Sequence, residues 1–251
     1  MKIRDLALRT GDMALLSGRA FAAMATRPLE ITLWFAQMDQ LGVRSLAVAG
    51  VATTFTGMVL ALQTAYSLPS LGVKYYIGSV VAKSLVRELG PVLTALIVGG
   101  RIGAGMTAEI GSMRVTEQID AMRSMAVDPV KKLVAPKLGA VLVMLPALTV
   151  IGCALGILGG LLVAVFQLQV QASVYLNNIV QNLTLADVVS GVGKSFVFAY
   201  IIAIIGCYNG LHTEGGADGV GRATTDTVVT LAITIMISDY FLTKLFILVV
   251  S

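Results

Sequence analysis

Several charged residues lie inside long apolar stretches of this sequence, where a charge is costly unless it has a partner. Lys83, Arg87 and Glu88 occur together in one stretch, and Asp239 occurs in another. Within a bilayer each would cost about 2.5 kcal/mol or more unless it faced a cavity or a counter-charge. Lys83 and Arg87 share a helical face at i, i+4, where a phosphate group between them would offset their repulsion. We therefore predict that Arg87 binds an anionic group, with Lys83 assisting it and Glu88 setting the local charge balance.

The positions of these residues along their stretches predict a depth near mid-bilayer. Glu88 is twelve residues beyond Tyr76, which corresponds to roughly 18 Å of helix. Asp239 lies twelve residues into the last stretch and is predicted at a similar depth. A structural alternative stays open, in which Lys83 extends to the membrane surface and Arg87 pairs with Asp239 for folding.

The composition predicts that these charges belong to an all-α integral membrane protein. Of the 251 residues, 57% are hydrophobic and only 13% are charged, whereas charged residues make up about 25% of soluble domains. Leu138 to Phe166 is a run of twenty-nine residues without a charge, longer than the roughly 20 residues that cross a bilayer. Cys153 and Cys207 lie in apolar runs and His212 is the single histidine, so neither a disulfide framework nor a metal site is predicted.

Hydropathy divides the chain into an N-terminal segment and a domain of five spans. Residues 1–44 are predicted to form amphipathic interfacial helices: Ile3, Leu6, Met13, Leu16, Ala20 and Met24 share one face of the first. In the next helix Trp34 is placed as an anchor at the membrane interface. Residues 45–251 form the domain, with spans near Ser45–Leu68, Tyr75–Gly100, Leu138–Phe166, Val188–Leu211 and Thr227–Val250.

The distribution of cations predicts the orientation of the chain. Thirteen of the eighteen Lys and Arg residues fall before span one, between spans two and three, or between spans four and five. By the positive-inside rule these regions are cytoplasmic, so the N-terminus is predicted inside and the C-terminus outside.

Glycines at a spacing of four recur within the spans, and two further glycine motifs resemble nucleotide-binding loops. Tight helix packing within one subunit is favoured for the spaced glycines, with a dimer contact as the alternative. The segment 191–195 (GVGKS) lacks the first glycine of a phosphate-binding loop, and 103–108 (GAGMTA) leaves a span instead of following a strand. Neither motif predicts a nucleotide site, and nucleic acid is not an implied partner.

The connection between spans two and three, residues 107–132, is predicted to carry a short amphipathic helix from Thr116 to Asp128. Thr116 is placed as its N-cap and Glu117 in its first turn. Ile119, Met122 and Ala126 form an apolar stripe, and Asp128-Pro129 ends the helix. This helix either rests on the membrane surface or docks in a groove of a cytoplasmic motor protein.

Ordered motifs around this connection resemble the MlaE family of ABC transporter permeases, which transport lipid in association with mammalian-cell-entry (MCE) proteins. The resemblance lies mainly in LVRELGPV at 85–92, GRIGA at 100–104, TAEIGSM at 107–113, TEQ at 116–118 and MAVDP at 125–129. It resumes at GVGRATT, 219–225, and more weakly at GMVLALQ, 57–63.

The resemblance implies a homodimeric permease of the inner membrane that moves phospholipid or a related lipid to or from a periplasmic MCE protein. A separate ATPase subunit would bind ATP and magnesium, so no cofactor is expected in this chain, and a small STAS-domain protein is a possible further partner. The residues expected to bind substrate are Arg87, Glu88, Lys83, Leu60, Gln63 and Asp239. Those expected to couple to the ATPase are Glu109, Arg114, Glu117, Ile119, Met122, Arg123 and Asp128.

Two other classes of function compete with this interpretation. A self-contained secondary transporter or channel would use Arg87, Glu88 and Asp239 to relay protons or ions, and would need no motor protein. A membrane enzyme acting on lipid headgroups would need a nucleophile or a metal set, and none converges in this sequence.

Overall fold

The computed structural model describes residues 3–25, 31–67 and 73–250, and every secondary-structure element in these ranges is helical. There are ten α-helices in them, and short π or 3₁₀ segments join several of these end to end. The helices are α1 (Ile3–Ala25), α2 (Ile31–Gln37), α3 (Leu46–Ser67), α4 (Val73–Ser84), α5 (Gly90–Val115), α6 (Gln118–Ser124), α7 (Ala135–Phe166), α8 (Ala172–Asn182), α9 (Leu185–Leu211) and α10 (Gly216–Val250).

Within the ranges that the structure describes, five helical segments are long and apolar enough to cross a membrane, which confirms the predicted number of spans. They extend over 27 to 41 residues, whereas roughly 20 residues suffice to cross the hydrocarbon layer. Hydropathy locates only the apolar part of each helix, and most of these helices continue into polar sequence. The segments are Thr32–Ser67, Tyr75–Val115, Val130–Phe166, Leu185–Leu211 and Gly216–Leu248.

The short helix α8 between spans three and four was not predicted. Tyr175 on its inner face is fully buried, and its hydroxyl donates to the carbonyl of Ile157 at 3.2 Å. Burial raises the pKa of the Tyr175 phenol above its ordinary value. One turn further along α8, the Asn178 side chain accepts a hydrogen bond from the backbone of Ser79 in α4 at 2.8 Å. These contacts pack α8 against α7 and α4.

The chain divides into two compact units. Unit 1 comprises Met1–Arg44, Gly99–Met144 and Phe198–Ile235, and unit 2 comprises Ser45–Val98, Leu145–Val197 and Met236–Ser251.

Within unit 1, α1 buries part of the face that its periodicity predicted to be apolar. Leu16 and Ala20 are buried, and Ser17 beside them accepts a hydrogen bond from the hydroxyl of Tyr200 at 2.8 Å. Met13 and Met24 are half-buried, while the side chains of Ile3 and Leu6 lie outside the described ones. The other side of the helix is also apolar, with Leu8, Leu15 and Phe21 exposed.

The spaced glycines pack helices together inside the subunit. In unit 2, a Cβ atom at Gly57 of α3 would collide with the backbone oxygen of Gly156 in α7. In unit 1, a Cβ at Gly206 would lie 3.0 Å from the side chain of Met106 and 3.1 Å from the backbone oxygen of Gly103. The close approach of these helices therefore requires glycine, and the interpretation as packing within one subunit is confirmed for these positions.

Candidate functional site

A buried lysine organises a polar cluster within the membrane-spanning part of unit 2. The side chain of Lys194 in α9 is 0% exposed and forms a short ion pair with the carboxylate of Glu88. Its Nζ atom donates to the hydroxyl of Thr243 in α10 at 2.6 Å and lies 3.1 Å from Asp239 Oδ1. The Thr243 hydroxyl donates in turn to Glu88. We call these four residues the Lys194 cluster.

The Lys194 cluster holds one cation and two carboxylates, so it carries a net negative charge when all three groups are ionised. The Asp239 oxygen nearest to Lys194 is within ion-pair distance, but it lacks a hydrogen-bond partner of good geometry in the structure. A buried carboxylate oxygen without a hydrogen bond is costly. Asp239 therefore retains capacity to accept a hydrogen bond from another group.

The sequence did not identify Lys194 as a site residue, because it completes the GVGKS motif that had been set aside. The structure places the whole motif inside α9, where helical backbone cannot form a phosphate-binding loop. A signal was nevertheless present in the sequence. Asp187, Ser190 and Lys194 are spaced at i, i+3 and i+7 and form a polar stripe on an otherwise apolar helix, and all three are buried.

A second ion pair joins Arg87 to the start of α9. Arg87 Nη1 lies 3.5 Å from Asp187 Oδ1, with side-chain exposures of 41% and 8%. Asp187 also belongs to a capping box with Thr184. Its Oδ2 accepts hydrogen bonds from the Thr184 backbone at 2.9 Å and from the Thr184 hydroxyl at 2.8 Å, and its own backbone donates to that hydroxyl at 3.3 Å. The carboxylate is thus held in place independently of Arg87.

The predicted pairing of Arg87 with Asp239 is wrong, since Arg87 contacts Asp187 and Asp239 contacts Lys194. The predicted depth of Arg87 also changes. Asp187 is the third residue of α9, so Arg87 lies near the end of span four instead of its middle. Lys194 is the residue near mid-span, because its nine-residue distance from Leu185 corresponds to roughly 14 Å of helix.

Arg87 and Glu88 lie in a π-helical turn, Leu85–Leu89, that connects α4 to α5. Pro91 lies two residues beyond this turn and has no N–H to donate to it, which explains why the helix widens there. The carbonyl of Leu85 accepts instead from the backbone N–H of Gly90 and from the thiol of Cys153 at 3.6 Å. This turn directs Arg87 towards Asp187 and Glu88 towards Lys194.

The other predicted substrate residues do not join the Lys194 cluster. Lys83 is half-buried and close enough to Asp187 to interact with it electrostatically. Leu60 packs against the apolar core that surrounds Tyr175, and Gln63 is exposed on α3.

An apolar cavity of about 190 Å³ lies next to the Arg87 ion pair in unit 2. Its walls include Val86 and Val188, the chain neighbours of Arg87 and Asp187. A charged pair thus adjoins a space with almost no polar surface, an arrangement suited to an amphiphile. The lining residues are Val86, Thr149, Val150, Cys153, Ala154, Ile157, Val188, Gly191 and Val192.

The predicted coupling segment contains α6 in unit 1, where one aspartate holds two arginines. Asp120 accepts from Arg114 at the end of α5 at 2.6 Å, and from Arg123 one turn along α6 at 3.2 Å. The predicted coupling residues Arg114 and Arg123 therefore tie α6 to α5 through Asp120, which had not been singled out. The signal for this role was its i, i+3 spacing from Arg123.

The limits and inner face of α6 differ from the prediction. The helix spans Gln118–Ser124, and the hydroxyl of Thr116 donates to Ser112 in the preceding helix instead of capping α6. Glu117 precedes α6 with a φ of 61° and makes no capping hydrogen bond. Ile119 is fully buried, so it anchors the segment to its own unit and is not available to a partner.

The C-terminus of α6 is closed by a Schellman motif. The backbone N–H of Val127 donates to the carbonyl of Met122 at 2.9 Å, and that of Ala126 donates to Arg123 at 3.0 Å. Ala126 has a φ of 59°, so it occupies the left-handed position where glycine is preferred. This turn leaves Met125 67% exposed and Val127 exposed beside it. The exposed large apolar side chains of the segment are therefore those of Met125 and Val127, while Met122 is half-buried.

The remaining predicted coupling residues serve local structure. Glu109 accepts a hydrogen bond from the buried Lys137 of α7 at 2.7 Å, and Lys137 also donates to Gln37 of α2 at 3.1 Å. Asp128 Oδ1 accepts from the backbone N–H of Val130 at 2.9 Å, so it caps the next helical segment instead of ending α6.

Comparison with known proteins extends over most of the chain. A family model described as permease MlaE matches residues 34–245. A probable ABC transporter permease protein of Rickettsia typhi is 44% identical over 235 residues, covering 94% of this chain and 91% of the relative. A probable ABC transporter permease protein of a Synechocystis species is 46% identical over 210 residues, covering 83% and 80%. The intermembrane phospholipid transport system permease protein MlaE of Haemophilus influenzae is 37% identical, also covering 83% and 80%.

Proposed function

Because this chain belongs to the MlaE family of permeases, we propose that it is the membrane-spanning subunit of an ABC transporter for phospholipid or a related lipid. Lipid would move between the inner membrane and a periplasmic MCE-domain protein, with ATP hydrolysed by a separate subunit. The observation that carries this proposal is the juxtaposition, within unit 2, of a half-exposed arginine and an apolar cavity.

Arg87 is the proposed ligand of the lipid phosphate. Its contact with Asp187 is 3.5 Å long and its side chain is 41% exposed, so guanidinium donors remain for a second anion. The adjoining cavity would take part of an acyl chain, since its lining is almost wholly apolar. Lys83 supports the same region through its positive charge.

We propose that two copies of the chain assemble and cover the charged surface of unit 2. Glu88 and Asp239 are 37% and 22% exposed, and such carboxylates are costly where they face lipid. Only 11% of the most apolar stretch of α10 is buried in the single chain, against 61% for α9. The exposed face of α10 is therefore the proposed subunit boundary.

The proposed contact with the ATPase is the surface of Met125 and Val127, with Glu117 exposed near the other end of α6. The buried Ile119 and the Arg114–Asp120–Arg123 ion pairs would transmit force from this surface to α5. This arrangement supports a coupling role, because a helix tied to a membrane-spanning helix moves with it. A STAS-domain protein bound to the ATPase is a further proposed partner.

The proposed orientation places α6 and the N-terminus in the cytoplasm and the C-terminus in the periplasm. The excess of Lys and Arg before span one and between spans two and three supports this orientation.

The test is lipid transfer by the chain reconstituted with its ATPase and MCE protein. Transfer should require ATP hydrolysis, and Arg87→Ala should reduce it about tenfold while Arg87→Lys retains part of it as a point charge. Normal transfer by an assembled Arg87→Ala complex would refute the headgroup role. Transfer that follows an ion gradient without ATP would instead support the secondary transporter.

A purely structural role for Arg87 predicts different results. Arg87→Ala and Asp187→Ala would then lower the yield of folded protein equally, and the double variant would be no worse than either single variant. Measuring the assembled yield beside the transfer rate separates the two roles.

A further inference from the structure

A groove in unit 1 is lined by apolar side chains and by exposed charged side chains, which we call its rim. It has a volume of about 330 Å³ and lies among α1, the C-terminal end of α6 and the C-terminal end of α9. Leu15, Leu16 and Leu211 supply apolar surface, while Arg19 and Arg123 supply positive charge. The remaining lining residues are Asp12, Val130, Tyr208 and His212.

The groove opens beside the exposed apolar side of α1. Leu15 lines the groove and is itself exposed, and Leu8 and Phe21 are exposed on the same helix. Exposed apolar residues on an amphipathic helix of a membrane protein are typical of a helix lying against lipid. A lipid molecule could therefore enter the groove from the surface that α1 occupies.

The rim retains donors for an anion. Arg123 uses one Nη1 contact with Asp120, and a guanidinium group has five N–H donors. Arg19 is exposed on the α1 side of the groove. Asp12 also lines the groove, so these two arginines and one aspartate leave the rim with one net positive charge. Ring atom Nδ1 of His212 lies 2.8 Å from the carbonyl oxygen of Tyr208, which fixes the imidazole in the groove wall.

We propose that this groove binds the phosphate headgroup of an anionic membrane lipid between Arg19 of α1 and Arg123 of α6. The site belongs to unit 1 and is separate from the proposed transport site of unit 2. A lipid held there contacts α6 directly through Arg123. The bound lipid would act as a regulator and not as cargo. The lipid composition of the membrane would then determine how firmly the coupling segment is held.

Photocrosslinking of the full chain tests this proposal in nanodiscs of phosphatidylcholine with a minor fraction of phosphatidylglycerol. A photoreactive amino acid replaces Leu15, and a matched control replaces Leu8, which is exposed on the same helix but does not line the groove. Mass spectrometry identifies the lipid in each adduct. Adducts at Leu15 should be enriched in phosphatidylglycerol, whereas those at Leu8 should have the composition of the bilayer.

Charge variants decide whether the rim causes the enrichment. Arg19→Gln should lower it about fivefold, since each cation near a membrane attracts anionic lipid by a factor of that order. Asp12→Asn should raise the enrichment, a direction that a misfolded α1 would not produce. Arg222→Gln, an equal loss of charge outside the groove, should leave it unchanged.

Three outcomes would overturn the proposal. The first is a lipid composition of the Leu15 adducts that equals that of the bilayer, or an enrichment in phosphatidylglycerol that Arg19→Gln does not change. The second is loss of enrichment on adding inorganic phosphate at constant ionic strength, which would assign the site to a soluble phosphate. The third is a protein adduct at Leu15 in place of lipid, which would assign the groove to a partner subunit.

Discussion

Replacing Lys194 by methionine would leave Glu88 and Asp239 without the cation that they share. The lysine side chain is fully buried, and its Nζ lies 3.1 Å from Asp239. At an effective dielectric constant of about 20, a pair of charges at that distance is attracted by about 5 kcal/mol. Desolvation offsets part of this attraction in the intact protein, but removing one partner of a buried pair typically costs about 3–5 kcal/mol. We expect Lys194→Met to destabilise the protein by that amount.

The assay is thermal unfolding of the purified chain in detergent, followed by lipid transfer after reconstitution. Lys194→Met should lower the unfolding midpoint by roughly 10 °C, whereas Lys244→Met, the same change at an exposed lysine of α10, should leave it nearly unchanged. Adding Glu88→Gln and Asp239→Asn to Lys194→Met should recover most of the stability, because no charge is then left unpaired.

The triple variant separates the structural from the functional role of the Lys194 cluster. A stable triple variant that transfers no lipid would show that the charges serve transport. The reasoning would be refuted if Lys194→Met alone were as stable as the wild type, since a buried cation with two carboxylate partners cannot be removed without cost.

Three further predictions concern particular backbone and surface positions. Met125→Asp should weaken ATPase binding about tenfold or more, because it places a charge where an apolar side chain would be buried. The control Ser124→Asp should weaken binding less. Equal effects of the two changes in a binding assay would contradict the proposed contact surface. Ala126→Gly should stabilise the end of α6 by about 1 kcal/mol, since glycine adopts the left-handed conformation without the Cβ penalty. Amide hydrogen exchange in α6 should therefore slow, and faster exchange would contradict this account. Gly57→Ala should destabilise the protein by about 1–3 kcal/mol through collision with the backbone of α7. In the same unfolding assay Gly105→Ala should be tolerated, because a Cβ added there would meet no other part of the protein within 4 Å.

The number of spans and their approximate positions could be predicted from hydropathy, because burial in lipid requires long apolar helices. The predicted C-terminal ends of spans three and four, Phe166 and Leu211, agree with the structure. The helix α8 was missed because it has 11 residues, too few to give the hydropathy signal of a span. The extra length of the helices was missed because polar ends carry no hydropathy signal.

The partners of the membrane charges could not be predicted from the sequence. Counting residues gives the depth of a side chain only where the ends of the helix are known, and rotation about the helix axis depends on packing and on local features such as the π turn before Pro91. The sequence therefore indicated that Arg87, Glu88 and Asp239 are charges within the spans, but the structural alternative gave Arg87 the wrong carboxylate partner. Ile119 raises the same problem in α6, since an apolar stripe does not reveal whether it faces the protein or a partner.

The capping box at the start of α9 makes Arg87 an exchangeable group. Asp187 keeps two hydrogen bonds from Thr184 when the guanidinium turns away, so its charge remains compensated by dipoles that belong to its own helix. The free energy required to release Arg87 is therefore only that of one 3.5 Å ion pair with a half-exposed partner, a small quantity by the standards of such pairs. In the proposed transport role, an arriving lipid phosphate would take over the arginine and a departing one would return it to Asp187, and neither step would leave a charge without a partner. Low cost in both directions is what a carrier needs, because a group that bound its cargo irreversibly could not complete a cycle.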